Sequence, residues 1–368
     1  MISICLRWIA VGAALSCLLA ACSDPAPVFH PDQNPQRLSA WNLFSLSDSE
    51  LIPSQASLVF LPANQLFTDY AQKLRTLWIP AGSQAQLVDG EIDFPVGTVL
   101  SKTFYYPTDA EGNLLQRDET AEQSINLQHS KLIETRLLVR RETGWDAFPY
   151  VWNEDATEAF LRVAGTSTAI SLKSDTGDLD FVYFVPNENQ CAGCHVTSHP
   201  DGGLHPLGAI ASQLNWKNPK FYTDDLEIQT EMFVARGWLN RAPIKLEPVS
   251  WGDSEADIEE RALSYLNIHC GHCHNPEGAA DTSSLILDGS HSQLINMGVC
   301  KTPVAAGGGS GDRLYSIVPG APEQSILLYR MQSVEPDEMM PELGRSLVHS
   351  EGIALISDWI SQLPGSCL

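Results

Sequence analysis

Apolar and polar positions divide the chain into stretches of different period. Residues 1–21, MISICLRWIAVGAALSCLLAA, carry Arg7 and then an almost unbroken apolar run from Ile9 to Ala21. A short positive start before such a run is the pattern of an export signal, and the run is short for a membrane span. Residues 22–39 are proline-rich and aperiodic, which predicts an extended tether. Between 40 and 186, runs rich in Val, Thr, Leu and aromatics are bounded by Pro, Gly or Asp. They predict strands over Ala56–Leu61, Thr98–Tyr106, Leu132–Arg140, Tyr150–Trp152 and Phe181–Val185. Asp69–Trp78 and Asp155–Ala164 read as short helices, the second with Ala156, Ala159, Phe160 and Val163 at helical spacing.

Beyond residue 186 the period turns helical. Leu226–Trp238 carries Leu226, Met232, Phe233 and Arg236 in helical register. Ser254-Glu255-Ala256-Asp257 has the form of a capping box, and a helix follows to about Ile268 with Ile258, Ala262, Tyr265 and Leu266 on one face. Pro322 opens a helix to about Met331. A last helix starts near Ser350, presents Ile353, Ile356, Ile360 and Leu363 on one face, and stops at Pro364-Gly365. The expected fold class is α+β: a β-rich domain at 40–186, then mainly α segments at 187–253 and 254–368. Gly307–Gly311 lacks the Gly-Lys-Ser/Thr of a phosphate loop and reads as a flexible connection.

Charge removes whole function classes. Lys and Arg number 22 against 45 Asp and Glu, a net charge of −23. That excludes nucleic-acid binding, which needs a basic face, and charge-driven docking on anionic lipid. With 43% hydrophobic residues and nine Trp, the chain is no disordered acidic tail.

Nine cysteines carry most of the chemistry. Cys5 and Cys17 leave with the signal. Four of the others form Cys191-Ala-Gly-Cys194-His195 and Cys270-Gly-His-Cys273-His274. C-x-x-C-H is the attachment signature of c-type haem: two thiols form thioethers with two vinyl groups, and the adjacent imidazole lies under the iron. Two covalently bound haem c groups are expected, with His195 and His274 as proximal ligands. A thioredoxin-like C-x-x-C would need a βαβ setting, and a Cys₄ zinc site would not need a histidine after each pair. Cys300 and Cys367 remain. In an oxidising compartment they are expected to form a disulfide, the alternative being two separate buried thiols. Residues 40–186 show no nucleophile or ligand cluster; His129 there reads as a loop residue.

Distal ligands are less evenly marked. Met339-Met340-Pro341 offers a thioether opposite His274, and a thioether favours ferrous iron. For the first haem, Met232 and His205 stand equal and an open site is the third choice. His199 is too close to His195 to cross the ring, and Met297 and His291 are remote alternatives.

Three resemblances extend this reading. Leu19-Ala20-Ala21-Cys22 resembles the bacterial lipobox, which implies lipidation of Cys22. Ser23 after it implies the outer membrane, facing the periplasm. Met-Pro followed by a terminal helix is similar to class I cytochromes c, which selects Met340 over Met339. Residues 40–368 resemble a family of bacterial dihaem c-type cytochromes of poorly defined function. The matching stretches include FPVGTVLSKTFYYP, YVWNEDATEA, PNENQCAGCH, HCGHCHNPEGAADTSSL and VPGAPEQSILLYRM. The end of the chain also resembles planctomycete-type cytochrome c domains. These resemblances imply cytochrome c-like haem domains after residue 186. They also imply electron transfer, with electrons accepted from a sugar-type dehydrogenase, while the acidic charge would steer a basic redox partner such as a small cytochrome. The rival is a dihaem peroxidase or dehydrogenase with one open haem site. In dihaem peroxidases the first haem motif lies nearer the N-terminus.

Overall fold

The computed structural model describes residues 25–118, 120, 122–196, 198–199, 201–216, 228–244, 248–290, 293–304 and 306–367. Its strands run β1 (Phe44–Leu46), β2 (Glu50–Pro53), β3 (Leu58–Val59), β4 (Gln72–Trp78), β5 (Gln86–Val88), β6 (Glu91–Asp93) and β7 (Val99–Pro107). They continue as β8 (Leu114–Leu115), β9 (Ile125–Asn126), β10 (Ser130–Arg141), β11 (Gly144–Trp152), β12 (Ala159–Leu161), β13 (Thr166–Ser174) and β14 (Gly177–Val185). The helices are α1 (Glu188–His195), α2 (Ala211–Leu214), α3 (Gln229–Ala235), α4 (Ile258–Leu266), α5 (Ile326–Gln332) and α6 (Ser350–Gln362). Among the described residues no helix is long and apolar enough to cross a membrane.

The α+β expectation, with mainly α haem domains after residue 186, is overturned. Strand makes up 27% against 21% helix, and the described residues of the C-terminal region form no helical bundle. The reason lies in proline: Pro303, Pro319, Pro322, Pro336 and Pro341 interrupt the stretch where a bundle needs long helices. The expected helix from Pro322 is a 3₁₀ turn, Pro322–Gln324, followed by α5 of only seven residues.

Two shorter helices are corrected as well. Asp69–Trp78 is not helical; its second half is β4, buried at every position between β7 and β3. Cover on both faces removes the alternation by which a strand is recognised. Asp155–Ala164 is a turn and β12. The Asn153 side-chain oxygen accepts from Thr157 N and Glu158 N at 2.9 and 3.1 Å, turning the chain so that β12 pairs with β11.

The main sheet is antiparallel, in the order β12-β11-β10-β7-β4-β3. One face packs on Leu38, Trp41, Val99, Leu137, Phe148 and Tyr150. The other face is split. At one end Leu77 and Leu100 meet Leu214 of α2 and Phe233 of α3. At the other, Phe104 and Tyr106 meet Leu172 and Tyr183 of the β13–β14 hairpin. Between these apolar ends runs a cross-strand row of Arg75, Lys102 and Arg136.

A separate core joins α4, α5 and α6 through Tyr265, Leu266, Leu328, Ile356 and Trp359. Residues 64–70 sew it to the sheet. Asn64 Oδ1 accepts from Trp251 N (2.8 Å), and Phe67 N donates to His269 Nε2 (3.0 Å). Tyr70 Oη donates to Glu351 Oε2 (3.1 Å). Cys300 and Cys367 are joined by a disulfide, with a Cα–Cα distance of 5.2 Å, holding the segment after α6 against the loop at 300.

Candidate functional site

The first C-x-x-C-H run lies on α1. Asn187 caps it: its side chain accepts from Gln190 N (2.9 Å), and the Gln190 side chain accepts from Asn187 N (3.0 Å). In the helix Cys191, Cys194 and His195 stand at i, i+3 and i+4, on one face. His195 Nδ1 donates to His205 O at 2.7 Å, and His205 N donates back to His195 O at 2.8 Å. The ring is thereby oriented with Nε2 as its remaining nitrogen. Burial pushes the imidazole down to about 4, against the upward pull of the His205 carbonyl, so it is neutral at physiological pH.

The second run is delivered by α4, which starts at Ile258. Asp257 is its cap, accepting from Glu259 N and Glu260 N, so the cap expected at Ser254 lies three residues later and no capping box forms there. The helix passes into a π turn over Asn267–Gly271 that contains Cys270. Gly271 is tight there: a Cβ would stand 2.7 Å from Asp288 Cα. His274 Nδ1 lies 3.1 Å from Ser283 Oγ, whose own hydrogen goes to Ala280 O at 2.7 Å. The serine therefore accepts from His274, and again Nε2 is the remaining nitrogen. Burial pushes His274 down to about 4.

Two adjoining cavities open onto these motifs, with empty volumes of about 1290 and 1690 Å³, part of each open to solvent. Cys191, Cys194 and His195 line the first; Cys273 and His274 line the second; Cys194 and Cys270 touch both. Cys273 Sγ lies 3.5 Å from Gly193 O, and His199 N donates to Glu277 O at 2.8 Å, so the two motifs stand back to back. Burial raises all four thiols, Cys270 and Cys273 to about 12. That is the opposite of a reactive C-x-x-C, whose thiolate is stabilised. Nor do three or more His, Cys, Asp or Glu side chains converge anywhere among the described residues to hold a metal ion, so the cysteines are not gathered as a thiolate zinc site.

Met340 lines both cavities, whereas Met339 is packed away with 7% of its surface exposed. The loop that presents Met340 is stapled by Arg345. Its guanidinium donates to Met340 O (2.9 Å), Ser333 O (2.8 Å), Arg330 O and Leu347 O (both 3.2 Å). Asp69 fixes the far side: Oδ1 accepts from Ser346 N and Leu347 N, each at 2.7 Å.

Asp69 is 2% exposed, and burial lifts its carboxyl to about 6; the amides of Leu347 and Ser346, then Arg345 and Lys73, pull the other way. Between about pH 4 and 6 the folded chain therefore holds more protons than the unfolded chain, and stability falls as pH rises through that window. Asp69→Asn keeps the acceptor and removes the charge. It is expected to flatten that slope and to gain up to roughly 3 kcal/mol at pH 7. Thermal melts of both proteins from pH 4 to 7 check this; an unchanged slope would locate the pH dependence elsewhere.

The other expected site residues fall as follows. His205 is exposed, and its backbone belongs to the support of His195. Met232 packs against the core of Leu58, Phe60 and Phe233 and is not among the residues lining either cavity. His199 is exposed, and Met297 lines the second cavity. Cys22 and His291 lie outside the described residues.

Sequence reasoning missed the wall of the first cavity, built from Tyr265, His269, His272 and His349. Tyr265 stacks on His269 (centroids 3.9 Å apart) and bonds to His349 Nδ1 (2.9 Å). His269 has both nitrogens committed, Nδ1 to Tyr265 O (2.9 Å) and Nε2 to Phe67 N, which makes it a wall and not a ligand. The Asn187–Gln190 box before Cys191 is a readable signal for α1; nothing local marks Asp69 or Arg345, and Tyr265 shows only as part of the apolar face of its helix. Neither a protein-family model, nor a curated protein sequence, nor a solved structure matches this chain.

Proposed function

We propose that the chain is a dihaem c-type cytochrome that carries electrons between protein partners in the bacterial periplasm. The observation that carries this reading is the placement of both C-x-x-C-H runs on adjoining cavities, each with protonated thiols and a neutral histidine whose Nδ1 is already engaged. The residues present fit the group: each cavity presents cysteines and the histidine of one motif, and apolar surface predominates in both linings. Bound at Cys191/Cys194 and Cys270/Cys273, two haems would supply one-electron storage and exchange.

The chain's own part is to hold, orient and enclose. His205 O and Ser283 Oγ fix the two imidazoles, and Arg345 and Asp69 fix the loop of Met340. The Cys273–Gly193 contact keeps the attachment sites adjacent, as transfer between them requires. A net charge of −23 suits encounter with a basic redox partner. Export, lipidation at Cys22 and an outer-membrane anchor belong to the same proposal.

Expression in a host competent for cytochrome c maturation tests it. The intact mass is expected to exceed that of the processed, lipid-modified chain by two haems that resist acid-acetone extraction. Cys270→Ser with Cys273→Ser should remove one of them. A mass without haem from that host overturns the proposal.

A further inference from the structure

Among the described residues four histidines line the first cavity: His195, His269, His272 and His349. Besides His195, only one of them has a ring nitrogen to spare. His269 is committed at Nδ1 to Tyr265 O and at Nε2 to Phe67 N. His349 meets Tyr265 Oη at Nδ1 (2.9 Å) and Glu351 Oε2 at Nε2 (3.5 Å). Its ring also stacks on Phe67, with centroids 4.2 Å apart. Rings clamped in this way belong to the wall.

His272 differs. Its ring is hydrogen-bonded to the carbonyl of Ile268, one turn earlier. His269 Nδ1 makes the same bond to Tyr265 O at 2.9 Å. The short reach selects Nδ1, the nitrogen nearer the main chain. Nε2 of His272 has no partner among the described residues, and the side chain is only partly covered, lining both cavities.

Position in the chain excludes its own haem as the target. Cys270 and Cys273 flank His272, and His274 follows as the proximal ligand. A residue between two attachment points cannot cross to the far face of the group they hold. The neighbouring cavity is within reach, because Cys273 Sγ lies 3.5 Å from Gly193 O of α1. The segment that carries His272 is therefore packed against the segment that carries His195. Other donors are placed elsewhere: Met331 is packed into the core of α4, α5 and α6, and Met232 lines neither cavity.

We propose that His272 Nε2 is the second axial ligand to the iron of the haem attached at Cys191 and Cys194, opposite His195. This rests on the dihaem reading. A neutral imidazole whose Nδ1–H is held by a carbonyl is oriented and made more basic for such a bond. The first haem's ligand would thus come from the attachment segment of the second, which ties the two sites together through a few covalent bonds at Cys273. With Met340 on the other iron, neither haem keeps an open position, which suits an electron carrier and not a peroxidase.

The test is EPR and near-infrared magnetic circular dichroism of the haem-loaded protein, unmutated and as His272→Ala and His272→Met. Both variants keep the C-x-x-C-H pattern. The unmutated protein is expected to show one bis-imidazole low-spin haem beside one imidazole–thioether haem. His272→Ala should lose the whole bis-imidazole signal and gain a high-spin one, with the thioether band unchanged, and added imidazole should restore the low-spin state. His272→Met should replace the bis-imidazole signal by a second imidazole–thioether signal. A first haem that is high-spin, imidazole–thioether or imidazole–amine in the unmutated protein overturns the assignment. So does a bis-imidazole signal that survives in His272→Ala, or in His272→Met should the alanine variant fail to load. A loss that imidazole does not restore marks a structural role and overturns it too. Absence of haem at Cys191/Cys194 from the mass of the unmutated protein refutes the dihaem reading itself, and the two failures are thereby separated.

Discussion

On the proposed dihaem reading, Met340→Ala is expected to abolish the Met–iron absorption band of the haem attached at Cys270 and Cys273 and to lower its potential by about 0.1 V or more. The estimate is modest against the ~0.8 V over which axial ligands set haem potentials. Its sign follows from the thioether, which favours ferrous iron. The main chain at Met340 is held at both ends, with N donating to Arg330 O (3.0 Å) and O accepting from Arg345 Nη2 (2.9 Å). Truncating the side chain therefore removes the sulfur without releasing the loop. Met339→Ala should leave the band in place, because that side chain is packed away from both cavities. Optical titration of both variants decides the matter. Loss of the band in Met339→Ala alone would reverse the assignment, and its survival in both would end methionine ligation.

What could be read from the sequence was what is local. Two thiols and an imidazole at i, i+3 and i+4 need only five residues to share a helix face, and α6 shows its apolar stripe over 13 residues. Non-local features left no such trace. The contact of Cys273 with Gly193 spans 80 positions, and that of Asp69 with Leu347 spans 278. Asp69–Trp78 misled because Gln72, Lys73 and Arg75 are buried polar residues in a strand, where bonds within the fold and not solvent explain their polarity. Likewise the expectation of mainly α haem domains weighed a few periodic segments and neglected the prolines between them.

The β-rich half, for which no role was legible, gains one from these contacts. Its loop at 64–70 reaches His269, Glu351 and the backbone of Ser346 and Leu347, while Lys102 and Arg136 of its sheet line the first cavity. It is the enclosing wall of the first cavity and the far clamp on the Met340 loop. Mutations in residues 64–70 would therefore act on the second motif's surroundings from a distance in sequence.

The largest loss of stability is expected from Gly352→Ala, a change that helix propensity alone would favour. Alanine in a helix interior is worth about 1 kcal/mol over glycine. Gly352 lies in the first turn of α6, where a Cβ would stand 2.1 Å from Tyr265 Oη, 2.3 Å from Cζ and 2.5 Å from Cε2. The ring has little room to yield. His269 stacks on it at 3.9 Å and His349 at 5.5 Å, with Trp251 edge-on at 5.6 Å. Relief must come from moving α6 away from α4 or from breaking the Tyr265–His349 hydrogen bond. Overpacking costs 1–3 kcal/mol and an orphaned buried hydroxyl another 1–3, so the penalty exceeds the propensity gain. A net loss of about 3 kcal/mol is expected, lowering Tm by roughly 4 °C in a chain of this size. Tyr265→Phe in the same background removes the closest atom and should recover part of the loss. Calorimetry of the single and double variants checks this, and a Gly352→Ala protein as stable as the parent would show that α4 and α6 are not in contact at this glycine.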